Sequence, residues 1–344
     1  MPAYRSSSPF HVRAVAALAL TLMVAAWLVG CGPGASSASQ TQVVAAPVFD
    51  GAKALASITT QCAFGSRAPG TTAHDNCLQW IQDQVTPLSS KVLVQTFDAT
   101  TTFGGPYHFA NVLAWIGPTT GTPMVLAAHW DSRPVADQDP DFNNHTTPIL
   151  GANDGASGVA VLLEIARIVK AFPTAMPGPV VLAFLDAEDS GKGSSSEPYM
   201  GFCLGAQHLA TNWPSGWARP TRGILFDLVG GDGKPDARIP NPPVAGHVLV
   251  RFALETNSLN ANANLVNAVW TMGETLGHST FTRASGTPVT ADHVPFIKAG
   301  IAMIDIIDVF PVVWHTIDDT PAHCSADTLF QVGDTVTHVL YSPS

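Results

Sequence analysis

Carboxylate and imidazole side chains follow several mostly apolar runs of the chain. The runs 124–128, 179–185, 223–226 and 301–307 each lead, directly or through a short loop, to acidic or histidine residues. Another acidic residue lies in the glycine-rich segment 151–158, between the first two runs. The side chains contributed by these five segments are His129, Asp154, Glu188, Asp189, Asp227 and His315. Such a set can bind a divalent metal ion and transfer protons.

Three of these residues, Asp154, Asp189 and His315, form a suitable ligand set for a catalytic zinc ion. Zinc binds imidazole and carboxylate groups, and a catalytic site keeps one coordination position for water or substrate. Glu188 precedes Asp189, and adjacent residues at a strand end point in different directions, so Glu188 is the candidate general base. The chain contains neither a GxSxG nucleophile elbow nor a GxxxxGK[ST] phosphate loop.

Each of these residues also has an ordinary structural interpretation. A single histidine such as His129 can be a hydrogen-bonded core residue, Asp154 can cap the helix that follows it, and Asp227 can be a turn residue. The pair at 188–189 can belong to a solvated loop. A shared site is favoured because five segments carry such residues in a chain with only 12% charged residues.

The apolar runs predict the strands that position these side chains. Residues 158–172 and 71–85 have apolar side chains at helical spacing, which predicts helices. Strands that are apolar throughout are covered on both faces, so the sheet is expected to be parallel or mixed. Strands that alternate with helices indicate an α/β domain. Ligands in such domains bind beyond the carboxyl ends of the strands, where the candidate residues fall.

The composition excludes two classes of protein. The chain has 344 residues, of which 46% are hydrophobic, so it can form a core and is not expected to be disordered. Its 16 Lys and Arg against 26 Asp and Glu give a net charge of −10. This balance argues against nucleic-acid binding, because no basic excess is available to neutralise phosphates.

The N-terminal sequence predicts export. Basic residues precede an apolar run at 14–27, which is short for a membrane span and typical of a signal peptide. The run leads to Cys31 in a pattern that resembles a bacterial lipobox. We expect residues 1–30 to be a lipoprotein signal peptide, 31–45 a flexible tether and 46–344 the functional domain. An ordinary signal peptide or a short core segment is the alternative.

Four other cysteines follow, namely Cys62, Cys77, Cys203 and Cys324. No two of them have the CxxC spacing of a structural zinc site. Disulfides are permitted in an exported protein. Cys62 and Cys77 are close enough in sequence to pair, whereas a buried free thiol is an equal interpretation of Cys203.

Ordered motifs across residues 50–340 resemble the type II glutaminyl cyclases, which are relatives of the co-catalytic zinc aminopeptidases. The motifs are most similar to those of the bacterial members of this family. The segments are HWDSRP from 129, GANDGASGVAVLLEIAR from 151, FLDAED from 184, GFCLG from 201, DLVG from 227, DHVPF from 292 and VWHT from 313. The resemblance implies a single three-layer α/β/α domain with a central mixed, mostly parallel sheet.

The resemblance also implies roles for individual residues. Asp154, Asp189 and His315 match the cyclase zinc ligands, and Glu188 matches the general acid/base. The other implied positions are Asp227 and Asp292 in the proton network, Trp314 and Phe310 in the substrate pocket, and His129 with Asp227 as ligands of a second metal in two-metal aminopeptidases. Ala291 departs from the family, because many cyclases carry an acid there.

The implied reaction is cyclisation of the N-terminal glutamine of peptides or proteins to pyroglutamate, with release of ammonia. One zinc ion is expected. A two-zinc aminopeptidase is the alternative, and a non-catalytic, lipid-anchored binding protein of the same fold is a third interpretation. The expected protein is a monomer that contacts a bacterial membrane, the outer membrane in a Gram-negative host, through its lipid anchor only.

Overall fold

The computed structural model describes residues 47–173, 176–192, 201–234, 250–309 and 311–342. These residues belong to one compact unit, Ala45–Ser344. The expected signal peptide, the tether, Cys31 and Phe310 lie outside the described residues. In the part of the chain that is described, none of the helices combines the length and the apolar composition needed to cross a bilayer.

The described residues form eight strands in two sheets. The strands are β1 (Lys91–Thr101), β2 (Gly104–Ile116), β3 (Met124–His129), β4 (Val180–Leu185), β5 (Arg222–Asp227), β6 (Phe252–Leu254), β7 (Phe281–Ser285) and β8 (Ala302–Ile307). Six of them make the central sheet in the order β1-β2-β4-β3-β5-β8. The pairs β3–β4, β3–β5 and β5–β8 are parallel, whereas β1–β2 and β2–β4 are antiparallel. The expected mixed sheet with a parallel centre is confirmed.

Seven α-helices in the described part of the chain flank these strands. They are α1 (Gly51–Ala63), α2 (Thr72–Val85), α3 (Ala156–Ala171), α4 (Leu204–Thr211), α5 (Thr256–Leu276), α6 (His293–Lys298) and α7 (Ala326–Tyr341). The two helices expected from apolar spacing are α2 and α3. Thr71 caps α2 through its side-chain oxygen, which accepts a hydrogen bond from the amide of His74.

The core lies on both faces of the central sheet. Alternate residues of one strand enter different clusters, as Leu126 and Ala128 do on one face and Val125 and Ala127 on the other. The first cluster includes side chains from α1, α3 and α7, and the second includes side chains from α4 and α6. This arrangement is the expected three-layer α/β/α domain, and it explains why the central strands are apolar throughout.

Candidate active site

The site residues meet at the carboxyl ends of three neighbouring strands. His129 is the last residue of β3 and Asp227 is the last residue of β5, while Glu188 and Asp189 follow β4. The order β4-β3-β5 puts these ends side by side. Parallel strands end at the same edge of a sheet, so residues that are far apart in sequence share one site.

Two longer connections bring the remaining ligands to this edge. Asp154 lies in the loop that enters α3, and its amide and that of Asn153 donate to the Asp319 carboxylate at 3.0 and 2.7 Å. His315 lies in the loop after β8 with a positive φ of 56°. These loops bring Asp154 and His315 to the strand ends.

The first expected ligand set is assembled in the structure. Donor atoms of Asp154, Asp189 and His315 all lie within 4.8 Å of one another. His315 Nε2 lies 3.5 Å from an Asp154 oxygen and 3.4 Å from Asp189 Oδ2. Two ligands of a tetrahedral zinc ion with bonds of about 2.0 Å are about 3.3 Å apart. The spacing therefore fits a metal ion.

The second ligand set is assembled as well, and it shares Asp154 with the first. His129, Asp154 and Asp227 form this group. His129 Nε2 lies 3.1 Å from Asp154 Oδ1 and 3.6 Å from Asp227 Oδ1. Because Asp154 presents a different oxygen to each histidine, it is placed to bridge two metal positions.

Buried atoms without hydrogen-bond partners face these groups. Within the described residues, His129 Nε2, Asp189 Oδ2 and Asp227 Oδ1 are buried and accept or donate no hydrogen bond. Leaving such atoms unpaired is unfavourable unless a ligand completes them. A bound cation would satisfy all three, so the residues present fit a metal ion.

Four side chains outside the expected set support the ligands. Arg133 donates to Asp189 Oδ1 at 2.7 Å and holds both carboxylate oxygens of Asp137. Asp137 in turn lies 3.1 Å from His315 Nδ1. Asp131 accepts hydrogen bonds from the amides of Glu188 and Asp189. The fourth supporting side chain is Asp319, which accepts from the amides of Asn153 and Asp154. Three of these four supporting residues lie in the run HWDSRPVAD from 129 to 137. The charged residues at 133 and 137, in a chain with few charges, were the sequence signal that could have identified them.

The pKa values of two acidic groups of the site are shifted in opposite directions. Burial raises the pKa of Glu188 well above its usual value; the charge of His129 opposes this effect, and Asp189 and Asp292 add to it. The pKa of Asp189 is lowered despite burial, because His315 and Arg133 lie beside it. The buried carboxyl of Glu188 therefore favours a proton more than Asp189 does, as an acid/base group requires.

The structure places the other expected residues as follows. Asp292 is buried and close enough to affect Glu188. The Trp314 ring stacks on the His315 imidazole with a centroid distance of 3.7 Å. Ala291 packs in the apolar cluster beneath α6, so it contributes no acid to the site. The roles of these residues stay predictions.

The structure decides between the alternatives that the sequence left open for the cysteines. The four described cysteines are buried free thiols, so Cys62 and Cys77 are not paired. Asp305 is fully buried, and its Oδ2 lies 3.4 Å from His293 Nδ1.

Backbone strain is concentrated around the same site. Among the described non-glycine residues, four have a positive φ, namely Ala187, Cys203, Leu228 and His315. Ala187 precedes Glu188, Leu228 follows Asp227, and His315 is itself a candidate ligand. Non-glycine residues adopt this conformation rarely, and such strain is found preferentially at functional sites.

The chain is similar in sequence to known proteins. The sequence model of Peptidase family M28 matches residues 111–340. A glutaminyl-peptide cyclotransferase-like protein of Bos taurus is 28% identical over 284 residues, which cover 76% of this chain and 68% of the relative.

Two solved bacterial structures are more similar. The Bacteroides thetaiotaomicron glutaminyl cyclase bound to N-acetylhistamine is 34% identical, with a TM-score of 0.78 over 87% of this chain and 100% of that one. A Zn-dependent exopeptidase from Parabacteroides distasonis has the same identity, TM-score and coverage. The chain belongs to peptidase family M28, in the group that includes bacterial glutaminyl cyclases and zinc-dependent exopeptidases.

Proposed function

We propose that the chain is a zinc-dependent glutaminyl-peptide cyclotransferase. The observation that carries the proposal is the buried Glu188 carboxyl next to the three-ligand group of Asp154, Asp189 and His315. The similarity to bacterial glutaminyl cyclases over nearly the whole described domain supports the choice of substrate. A zinc ion held by the three ligands would supply Lewis acidity toward the carbonyl oxygen of the substrate amide.

In this proposal Glu188 transfers the proton that the cyclisation requires. The α-amine nitrogen of the substrate forms a bond to its own side-chain amide carbon, and the bond from that carbon to the amide nitrogen breaks. Glu188 accepts a proton from the attacking amine and donates it to the leaving nitrogen, which departs as ammonia. Asp227 and Asp292 are the neighbouring acids that steady the proton on Glu188. Because the reaction is intramolecular, orientation of the substrate supplies much of the rate.

Trp314 would form one wall of the pocket for the glutamine side chain. Its ring covers the face of His315, so the apolar wall lies directly beside the proposed metal. Phe310, which lies outside the described residues, is proposed as a second wall. An apolar slot of this kind excludes water and orients a short amide side chain.

A two-zinc aminopeptidase is the second candidate. The observation that favours it is the intact group of His129, Asp154 and Asp227, which shares Asp154 with the first group. The similarity to a Zn-dependent exopeptidase also supports it. In that case a bridging water would be the nucleophile, with Glu188 as its base.

One experiment separates these functions. The purified protein with zinc is incubated with two peptides that differ only in starting with Gln or Leu, and the products are read by mass. We expect loss of ammonia from the Gln peptide alone, abolished by Glu188→Gln and unaffected by Glu274→Gln, an exposed glutamate of α5. Release of free leucine would contradict the cyclase and support the aminopeptidase. No product from either peptide would support a binding protein.

Metal content gives an independent measurement. We expect one zinc per chain for the cyclase and two for the aminopeptidase. The pKa of His315 is raised to about 9 by Asp189 and Asp137 against the effect of burial, so a metal competes with a proton for this imidazole. Metal content should therefore be measured above pH 7.

We also propose a cellular context from the N-terminal sequence. The protein is exported and held at a bacterial membrane by a lipid on Cys31, with residues 46–344 as its functional domain. Its substrates are the N-termini of peptides or proteins. It is a monomer and does not bind nucleic acid. Labelling with a radioactive fatty acid, lost in a Cys31→Ala variant, tests the anchor.

A further inference from the structure

Cys203 lies against the segment that carries the candidate base. It precedes α4, is fully buried, and has a left-handed backbone with φ of 56°. The amides of Cys203, Leu204 and Gly205 donate to three consecutive carbonyls, those of residues 188, 187 and 186, at 2.9, 3.0 and 3.0 Å. The first turn of α4 is therefore hydrogen-bonded along the loop that follows β4.

The Cys203 thiol contacts the Glu188 carboxyl directly. Its Sγ donates to Glu188 Oε1 at 3.2 Å. Burial and then the charges of Glu188 and Asp292 raise the pKa of Cys203 well above its usual value, so the sulfur keeps its proton and acts as a donor. Among the described residues, this is the one hydrogen bond made to the Glu188 side chain.

The backbone of Glu188 is fixed by a different residue. Asp131 accepts a hydrogen bond from the Glu188 amide at 3.0 Å and another from the Asp189 amide at 3.1 Å. These two hydrogen bonds hold the main chain and do not involve the side chain of Glu188. The thiol is placed to restrict that side chain, because it occupies one carboxyl oxygen and leaves the other for the substrate.

We propose that Cys203 is a positioning residue, whose thiol holds Glu188 Oε1 so that Oε2 receives the substrate proton. The inference rests on the proposed role of Glu188 as acid/base, which the cyclase and the aminopeptidase share. A residue of this kind affects the chemical step more than substrate binding, because misplacing a base lowers the rate at saturating substrate.

Two substitutions at this position separate the hydrogen bond from the space that the sulfur fills. Cys203→Ala removes the donor, whereas Cys203→Ser keeps a donor in a similar volume, and neither adds a branch at Cβ that would worsen the left-handed backbone. We expect Cys203→Ala to lower kcat about tenfold with KM changed less than about twofold. Cys203→Ser should restore kcat to within about threefold of the unsubstituted protein.

The matched control is Cys77→Ala. Cys77 is a fully buried thiol on α2 without a described hydrogen bond, so its removal empties a similar volume away from Glu188. Its kcat should be unchanged. An unchanged kcat in Cys203→Ala, an equal loss in the Ala and Ser variants, or a loss confined to KM would each overturn the inference.

A spectroscopic measurement requires no substitution at Cys203. The S–H stretching band lies in an infrared window free of other protein bands, and a hydrogen bond shifts it to lower frequency. We expect one thiol band to move to higher frequency in Glu188→Ala relative to the unsubstituted protein. The absence of any shift would overturn the inference. A shift together with no release of ammonia would leave the pairing in place and contradict only the cyclase.

Discussion

Arg133 links two of the three candidate metal ligands. Its guanidinium contacts Asp189 directly and reaches His315 through Asp137. This pairing occupies Asp189 Oδ1 and leaves Oδ2 facing His315 Nε2. Groups that orient metal ligands in this way commonly change metal affinity when they are altered. A single side chain therefore orients two of the three candidate ligands.

Replacing Arg133 by lysine should weaken metal binding without unfolding the protein. Lysine retains the positive charge between the two carboxylates but cannot make the paired hydrogen bonds of the guanidinium. We expect zinc affinity to fall about 10-fold to 100-fold, measured by competition with a chelator. Arg283→Lys, an exposed pair with Glu274, is the control and should leave the affinity unchanged. Equal affinities in both variants would contradict the role of Arg133.

At the scale of the elements, buried contacts of His293 with two acidic side chains join α5, α6 and β8. Glu255 caps α5 by accepting hydrogen bonds from the amides of Asn257 and Ser258. Its Oε2 lies 3.4 Å from His293 Nε2, and the other ring nitrogen of His293 faces Asp305 at 3.4 Å. His293 follows Asp292, so this contact helps to hold the start of α6 beside the candidate base.

Glu255 should make the stability of the protein depend on pH. Burial alone would raise its pKa, but His293 and Ser258 outweigh burial and lower the pKa from 4.5 to about 2. Because the folded value lies below the unfolded one, this stabilisation is present above pH 4.5 and is lost as the pH falls toward 2. The shift corresponds to about 3 kcal/mol at pH 7.

The test compares Glu255→Gln with the unsubstituted protein in urea unfolding between pH 3 and pH 7. The difference in unfolding free energy should be largest at pH 7 and shrink as the pH falls. Glu274→Gln, on the exposed surface of the same helix, should change stability much less. A difference that stays constant with pH would show that the charge of Glu255 does not contribute.

At the scale of the whole molecule, the buried acidic groups should make the stability of the folded state depend on a bound cation. The chain has a net charge of −10, and Asp154, Glu188, Asp189 and Asp227 are buried together at one edge of the sheet. A cation that binds this group in the folded chain and not in the unfolded chain shifts the folding equilibrium toward the folded state.

Removing the metal should therefore lower the melting temperature. Zinc at 100 times its dissociation constant stabilises the folded state by about 2.7 kcal/mol. For a domain of about 300 residues, whose unfolding entropy is about 0.6 kcal/mol/K, that corresponds to about 4 °C. Differential scanning calorimetry with zinc, with a chelator and after zinc is restored gives the measurement. In Asp154→Asn the melting temperature should depend much less on zinc. If the melting temperature of the unsubstituted protein does not change with zinc, the metal makes no contribution to stability.

The sequence by itself predicted the parts of the fold and the site that depend on local pattern. Continuous apolar runs located β3, β4, β5 and β8, because these strands are buried on both faces. Apolar side chains at helical spacing located α2 and α3, because one face of each helix packs against the core. The rule that parallel strands end at one edge then brought together the two ligand groups.

The tertiary structure alone decided the contacts that orient those groups. The contact of Asp137 with His315, the thiol on Glu188 and the contacts of His293 have no local signature. Asp137 and His315 are 178 residues apart, and Cys203 and Glu188 are 15 apart. Such contacts arise only when separate elements pack together, because their geometry is set by the positions of whole strands and helices and not by the spacing of residues within one of them.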